Sequence, residues 1–264
     1  MKVYFIHQTL ALFRYQMLGM INTRILVLLS MILAAVFLGS RFIAELAIIH
    51  SEDIALAAMA DMLRYSLVIL LIISISYQIS QDYELSQFER ILAMPVSRVQ
   101  YVLAQSLVLL VIAFVFCLPV FLLMVLINDV SNAFYWSLAL YLEMILIGQF
   151  AVLAIISLEK LPIAVMFTLG VYLLAKASPL IDLIIAQTQV YYIEEQGVQF
   201  SSYVFSAIQH VLPDASAFAQ NDALFGSIDK SDILVQQCIS VLVYGMFIQL
   251  VILLDFYRKE FNRT

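Results

Sequence analysis

Charge is what this sequence has least of. Of its 264 residues only 12% are Asp, Glu, Lys or Arg, while 64% are hydrophobic and the mean hydropathy is +1.01. A soluble domain carries about twice that share of charge, so a water-soluble globule is excluded, and so is a disordered chain. Basic residues are scarcer still: 13 Lys and Arg against 19 Asp and Glu give a net charge of −6, which leaves no basic surface for nucleic acid. There are two cysteines, Cys117 and Cys238, both inside apolar runs, where they read as small buried hydrophobes and not as a disulfide framework. The three histidines, His7, His50 and His210, have no partner at metal-ligand spacing, so no metal site is expected. Glycine totals seven, and no G-x-x-x-x-G-K-[ST] run exists with which the chain could hold and hydrolyse ATP itself. A G-x-S-x-G elbow and a facing acid–histidine pair are missing too, and catalysis by this chain is not expected.

What is present is long apolar helix. A membrane-crossing helix needs roughly 20 mostly apolar residues, and six segments are read as candidates: Ile25–Ile43, Met62–Ser80, Arg98–Ile127, Phe134–Leu158, Pro162–Lys176 and Ile233–Tyr257. The fifth is short, and Ser178-Pro179 interrupts it before a second apolar piece, Leu180–Ala186. The expectation is a polytopic, all-α membrane protein of six transmembrane helices, with residues 1–264 forming one domain. The stretch 187–231 is expected to be an outer-face loop holding one short helix around Val204, Ile208 and Val211, which stops at Pro213.

Six spans put both termini on one side. That side then holds Lys2, Arg14, Arg24, Arg90, Arg98, Lys160, Arg258, Lys259 and Arg263, against Arg41, Arg64, Lys176 and Lys230 on the other. The excess of Lys and Arg assigns the termini to the cytoplasm. Two outer cations have acids at helical spacing, Arg41 with Glu45 and Arg64 with Asp61. Near the start, Lys2 is followed by a stretch broken by His7, Gln8, Arg14 and Gln16, unlike the uniform apolar core of a signal peptide. There Ile6, Leu10, Phe13, Met17 and Met20 recur at steps of three and four, which predicts an amphipathic interfacial helix over residues 1–22 lying on the membrane surface. An early start of the first span is the other reading.

The segment between spans two and three, DYELSQFERILAMPVSRVQYVLAQ from Asp82 to Gln105, is the most informative. Leu85, Phe88 and Leu92 share one helical stripe, with Glu84, Ser86, Gln87, Glu89 and Arg90 on the remaining surface. Pro95 disfavours helix at Met94, so a short helix over 83–95 should stop there. Ser97 and Gln100 then form an S-x-x-Q capping box that opens the third span, with Arg98 at the level of lipid headgroups. The residues alone allow two readings, a plain surface connector or a rigid amphipathic helix between a proline stop and a capped restart.

The run from Glu84 to Arg98, with its core Arg90-Ile-Leu-Ala-Met-Pro-Val-Ser-Arg98, resembles the signature of type-2 ABC transporter permeases. Ala207-Ile-Gln-His-Val-Leu-Pro-Asp214, with Phe218 and Asp222 after it, is similar to that family's outer-face segment before the last span. The sequence departs from the family at Tyr83-Glu-Leu-Ser86, where members often show Arg-x-x-Gly-Thr, and at Gln105, where they often carry lysine. The resemblance implies a membrane-spanning permease subunit of an ATP-driven exporter in the inner membrane. It implies two partners, an ABC ATPase on the cytoplasmic face and a second permease subunit of the same or another kind. ATP and magnesium would then belong to the ATPase, with no cofactor on this chain. It also implies that 83–95 is the coupling helix, with Glu84, Leu85, Phe88, Glu89, Arg90, Leu92, Pro95 and Arg98 transmitting ATPase closure to spans two and three. A maturation-type permease, serving haem or metalloenzyme assembly, and a non-transporting membrane scaffold are the alternatives.

Polar residues inside the spans are costly and therefore informative. Glu143 and Gln149 in the fourth span, and Ser74 and Tyr77 in the second, are candidates for a substrate path. For Glu143 the competing reading is packing, with the carboxyl hydrogen-bonded to a Tyr or Ser on a neighbouring helix. In the last span, Asp255 is expected to meet Arg258.

Overall fold

The computed structural model describes residues 2–20, 23–46, 51–84, 97–191, 218, 220–226 and 230–258. Among them there is no strand. Seven α-helices follow in order: α1 Lys2–Met20, α2 Thr23–Leu46, α3 Ser51–Glu84, α4 Arg98–Ile127, α5 Val130–Leu158, α6 Leu161–Tyr191 and α7 Lys230–Arg258, with a single 3₁₀ turn at Asn221–Ala223 between the last two. Five of them, α2, α3, α4, α5 and α7, are long and apolar enough to cross a membrane. This makes the chain a multi-pass membrane protein by composition and length. The apolar part of α6, Leu161–Ala177, is shorter, but the helix itself continues through Ser178-Pro179 to Tyr191. Within a bundle the hydrogen bond that a proline removes is tolerated, as Pro119 inside α4 also illustrates.

The bundle is built around α5. In its most apolar stretch 78% of the residues are buried, against 11% for α2, because α3, α4, α6 and α7 all pack on α5 whereas α2 leans on α3. Close approach is made by Gly148: a Cβ there would run into Leu109 Cδ1 on α4 and stand 3.3 Å from Ile75 Cδ1 on α3. On the far side of α5 a Cβ on Gly245 of α7 would stand 2.9 Å from the Gln149 amide oxygen. The outward faces of α2, α4 and α7 carry large exposed apolar side chains such as Leu38, Phe42, Phe114, Leu122, Met246 and Phe247, the surface that lipid would solvate.

The start of α4 follows the reading from sequence. Ser97 is the N-cap; its hydroxyl accepts from the Gln100 backbone N–H at 3.3 Å while the Gln100 side chain accepts from Ser97 N–H at 2.7 Å. At the other end α5 closes with Glu159 in the left-handed region (φ 59°), which allows a two-residue turn into α6. Helix α1 exists, but its inward face differs from the expected stripe. Leu12 and Gln16 are buried, Phe13 and Met17 pack against the core, and Leu10 is half exposed. The reason is that α1 lies along α4 and touches α3: the Gln100 amide donates to Gln8 Oε1 at 3.2 Å, and the Gln78 amide donates to the Gln16 carbonyl at 2.9 Å.

Candidate functional site

A charged cluster sits near the middle of α5. Helix α5 starts at Val130, four residues before the apolar run, and Glu143 lies roughly 20 Å from the start of its helix. It is fully buried. Its Oε1 accepts from Lys176 Nζ at 2.8 Å and from the Tyr172 hydroxyl at 3.1 Å, one turn apart on α6, while its Oε2 has no partner among the described residues. Arg64 of α3 completes the group, with Nη2 donating to Asp61 Oδ1 at 2.5 Å as the spacing predicted. The Tyr65 ring meets Tyr172 edge-on at 6.2 Å.

Two of the cations counted with the outer side therefore belong to the bundle interior: Arg64 and Lys176 are both less than a tenth exposed. Burying a charge without partners is prohibitive, and the partners here come from three helices. The pairing was readable from one feature. In an antiparallel helix pair with a tight turn, residues equidistant from the turn face each other, and Glu143 and Lys176 each stand 15 residues from the last and first residues of their helices, Leu158 and Leu161.

The cluster also holds backbone. The Phe218 carbonyl accepts long hydrogen bonds from Arg64 Nη1 and Lys176 Nζ, both 3.4 Å, and the Phe218 side chain is buried. Six residues later the Leu224 carbonyl accepts from Asn128 Nδ2 and Asn132 Nδ2, both 2.9 Å, at the turn between α4 and α5. This segment thus descends from the end of the bundle to its charged interior. Irregular backbone at such depth is tolerable only when protein covers it, and the four side-chain donors satisfy its carbonyls.

The remaining path candidates have other neighbours. Ser74 is buried and its hydroxyl donates to the Leu70 carbonyl of its own helix at 2.6 Å. Tyr77 is half exposed, its hydroxyl accepting from the Gln81 amide at 2.6 Å. Gln149 packs on Gly245 of α7. Of the coupling residues, Glu84 is the last residue of α3, and Leu85, Phe88, Glu89, Arg90, Leu92 and Pro95 lie outside the described residues, as does the short helix expected around Val204–Val211. Arg98 is placed: its Nη1 donates to the Tyr257 carbonyl at 3.2 Å and its guanidinium lies 5.5 Å from the centre of the Tyr257 ring, joining the first turn of α4 to the last turn of α7. Asp255 does not serve as the partner expected for Arg258; its Oδ2 accepts from the Ser157 hydroxyl at 2.8 Å and so ties α7 to the end of α5. Cys117 packs its sulfur 3.5 Å from that of Met144, and neither cysteine is in a disulfide. Compared with known proteins, the chain matches no family model and no curated protein.

Proposed function

We propose that this chain is the membrane-spanning subunit of an ATP-driven exporter, with hydrolysis carried out by a separate ATPase at the cytoplasmic face. The observation that supports this most is the junction at Ser97–Arg98. A double cap fixes the first turn of α4 in direction, and Arg98 fastens that turn to α7. A force applied to the preceding segment would therefore move α4 and α7 together instead of being lost in a loose connector. Glu84, Leu85, Phe88, Glu89, Arg90, Leu92 and Pro95 are the residues assigned to receive that force, and a second permease subunit would complete the path. With Arg64 and Lys176 taken from the outer count, nine cations on the side assigned to the cytoplasm face two, Arg41 and Lys230, which supports cytoplasmic termini; the inner membrane is the location the exporter reading implies. In this reading α6 is the sixth span.

The test is co-purification in lipid nanodiscs with a candidate ABC ATPase, sought as a soluble P-loop chain in a neighbouring reading frame, followed by ATP hydrolysis with the wild-type chain, Glu89→Ala and Phe88→Ala. A stable complex that hydrolyses ATP, and that either dissociates or loses half or more of its turnover in the two variants, supports the proposal. Failure of any ATPase to bind rejects it in favour of a membrane scaffold.

A further inference from the structure

A second polar cluster lies between α1, α3 and α4, separate from the charged group around Glu143. Gln16, Asp82 and Gln105 are at most 6% exposed and Gln78 is half buried. Both polar atoms of the Gln16 and Gln105 amides, Gln78 Oε1 and Asp82 Oδ2 have no hydrogen-bond partner among the described residues. These six atoms are a large part of all the unpartnered buried polar atoms among the described residues, and each would cost about 1–3 kcal/mol if it stayed so.

The helix register brings them to one place. Asp82 of α3 interacts with the Tyr101 hydroxyl of α4. Two turns away Ile75 and Leu109 both crowd Gly148. The helices run antiparallel, so the turn between these two contacts sets Gln78 opposite Gln105. Gln16 is joined to Gln78 through its own carbonyl. The register thus sets one carboxylate, three amide oxygens and a phenol oxygen on the facing sides of α1, α3 and α4. Arg98, the nearest cation in sequence among the described residues of α4, is turned toward Tyr257, and among the described residues no ion pair to Asp82 is formed.

We infer that this cluster is a binding site for a small hard monovalent cation of the sodium class. Carboxylate, amide and phenol oxygens suit a hard cation, with the Gln16 and Gln105 amide nitrogens turned away from it, and a single carboxylate balances a single charge. The site is unlike those built from several carboxylates or imidazoles, since no group of three His, Cys, Asp or Glu side chains forms among the described residues. It does not depend on the transport proposal. It gives α1 a reason to lie against the bundle, because Gln16 supplies a ligand from outside the α3–α4 pair.

The test is equilibrium binding of radioactive sodium to the purified full chain in nanodiscs, with potassium, lithium and choline as competitors. The expected result is saturable binding of about one sodium per chain that choline does not displace. Asp82→Asn, which keeps the shape, should weaken it at least tenfold, and Gln105→Leu should weaken it severalfold. Sodium should also raise the melting temperature of the wild-type chain but not that of Asp82→Asn, a readout that separates a lost ligand from a chain that fails to fold. No sodium binding by the wild-type chain would mean that ordered water fills the cluster, and unchanged binding by folded Asp82→Asn would place the ion elsewhere. Either result overturns the inference.

Discussion

Replacing one member of the Glu143–Lys176 pair strands the other in the middle of the bundle. At their 2.8 Å separation, and with an effective dielectric near 20, the Coulomb attraction is about 6 kcal/mol. The measurable share is smaller, because charges of a chain unfolded in lipid or detergent also find water, headgroups or other partners. A coupling of about 2–3 kcal/mol is expected. Either single variant, Glu143→Gln or Lys176→Met, should lose about 3–5 kcal/mol, the range for a buried charge left without its partner. Tyr172 does not rescue Lys176, since its hydroxyl is committed to the same carboxylate oxygen. The double variant removes both charges and should be more stable than the sum of the single losses implies. The assay is reversible unfolding in mixed micelles, read by tryptophan fluorescence from Trp136, the single tryptophan of the sequence and a fully buried residue of α5. If the two losses add to within about 0.5 kcal/mol, the pair is not energetically coupled and the account of the bundle centre given above is wrong.

Two further outcomes can be checked with the same preparation. Gly148→Val places methyl groups where Leu109 and Ile75 already stand, so it should cost about 1–3 kcal/mol; Leu109→Ala in the same chain should recover part of that loss, measured as a second unfolding cycle. Ser97→Ala removes the side-chain acceptor of the α4 cap and should cost about 1 kcal/mol, with faster hydrogen exchange confined to the backbone amides at the start of α4.

The sequence was most legible where local chemistry decides the structure. The capping box at Ser97 and Gln100 is a property of four consecutive residues, and α4 has the bounds read for it, Arg98–Ile127. Boundaries failed where apolarity was used as a proxy for helix. Helix α3 begins at Ser51, 11 residues before the apolar run, because Glu52 and Asp53 favour a helix start and the alanines that follow are strong helix formers without being strongly hydrophobic. Helix α6 continues past Pro179, beyond the apolar run read for it, to Tyr191. Arg64 and Lys176 were counted with the outer side because they stand at the outer ends of the runs read as Met62–Ser80 and Pro162–Lys176; the helices Ser51–Glu84 and Leu161–Tyr191 extend past both and make them interior. That Phe218 descends to meet both had no local signal: it depends on three helices and a returning segment separated by more than 150 residues of chain.

Phe218 has a consequence for the order in which the protein is made. A chain enters the membrane from its N-terminus, so α3, α5 and α6, with Arg64, Glu143 and Lys176, are synthesised before the segment that carries Phe218 and Leu224. The donors that make deep irregular backbone tolerable are thus in place before that backbone arrives. Helix α7 comes last and packs on α5 afterwards. Biogenesis then has a direction: the interior is charged first, filled second and walled third. A chain lacking α7 would have every group that holds Phe218 yet lack the wall that α7 forms along α5.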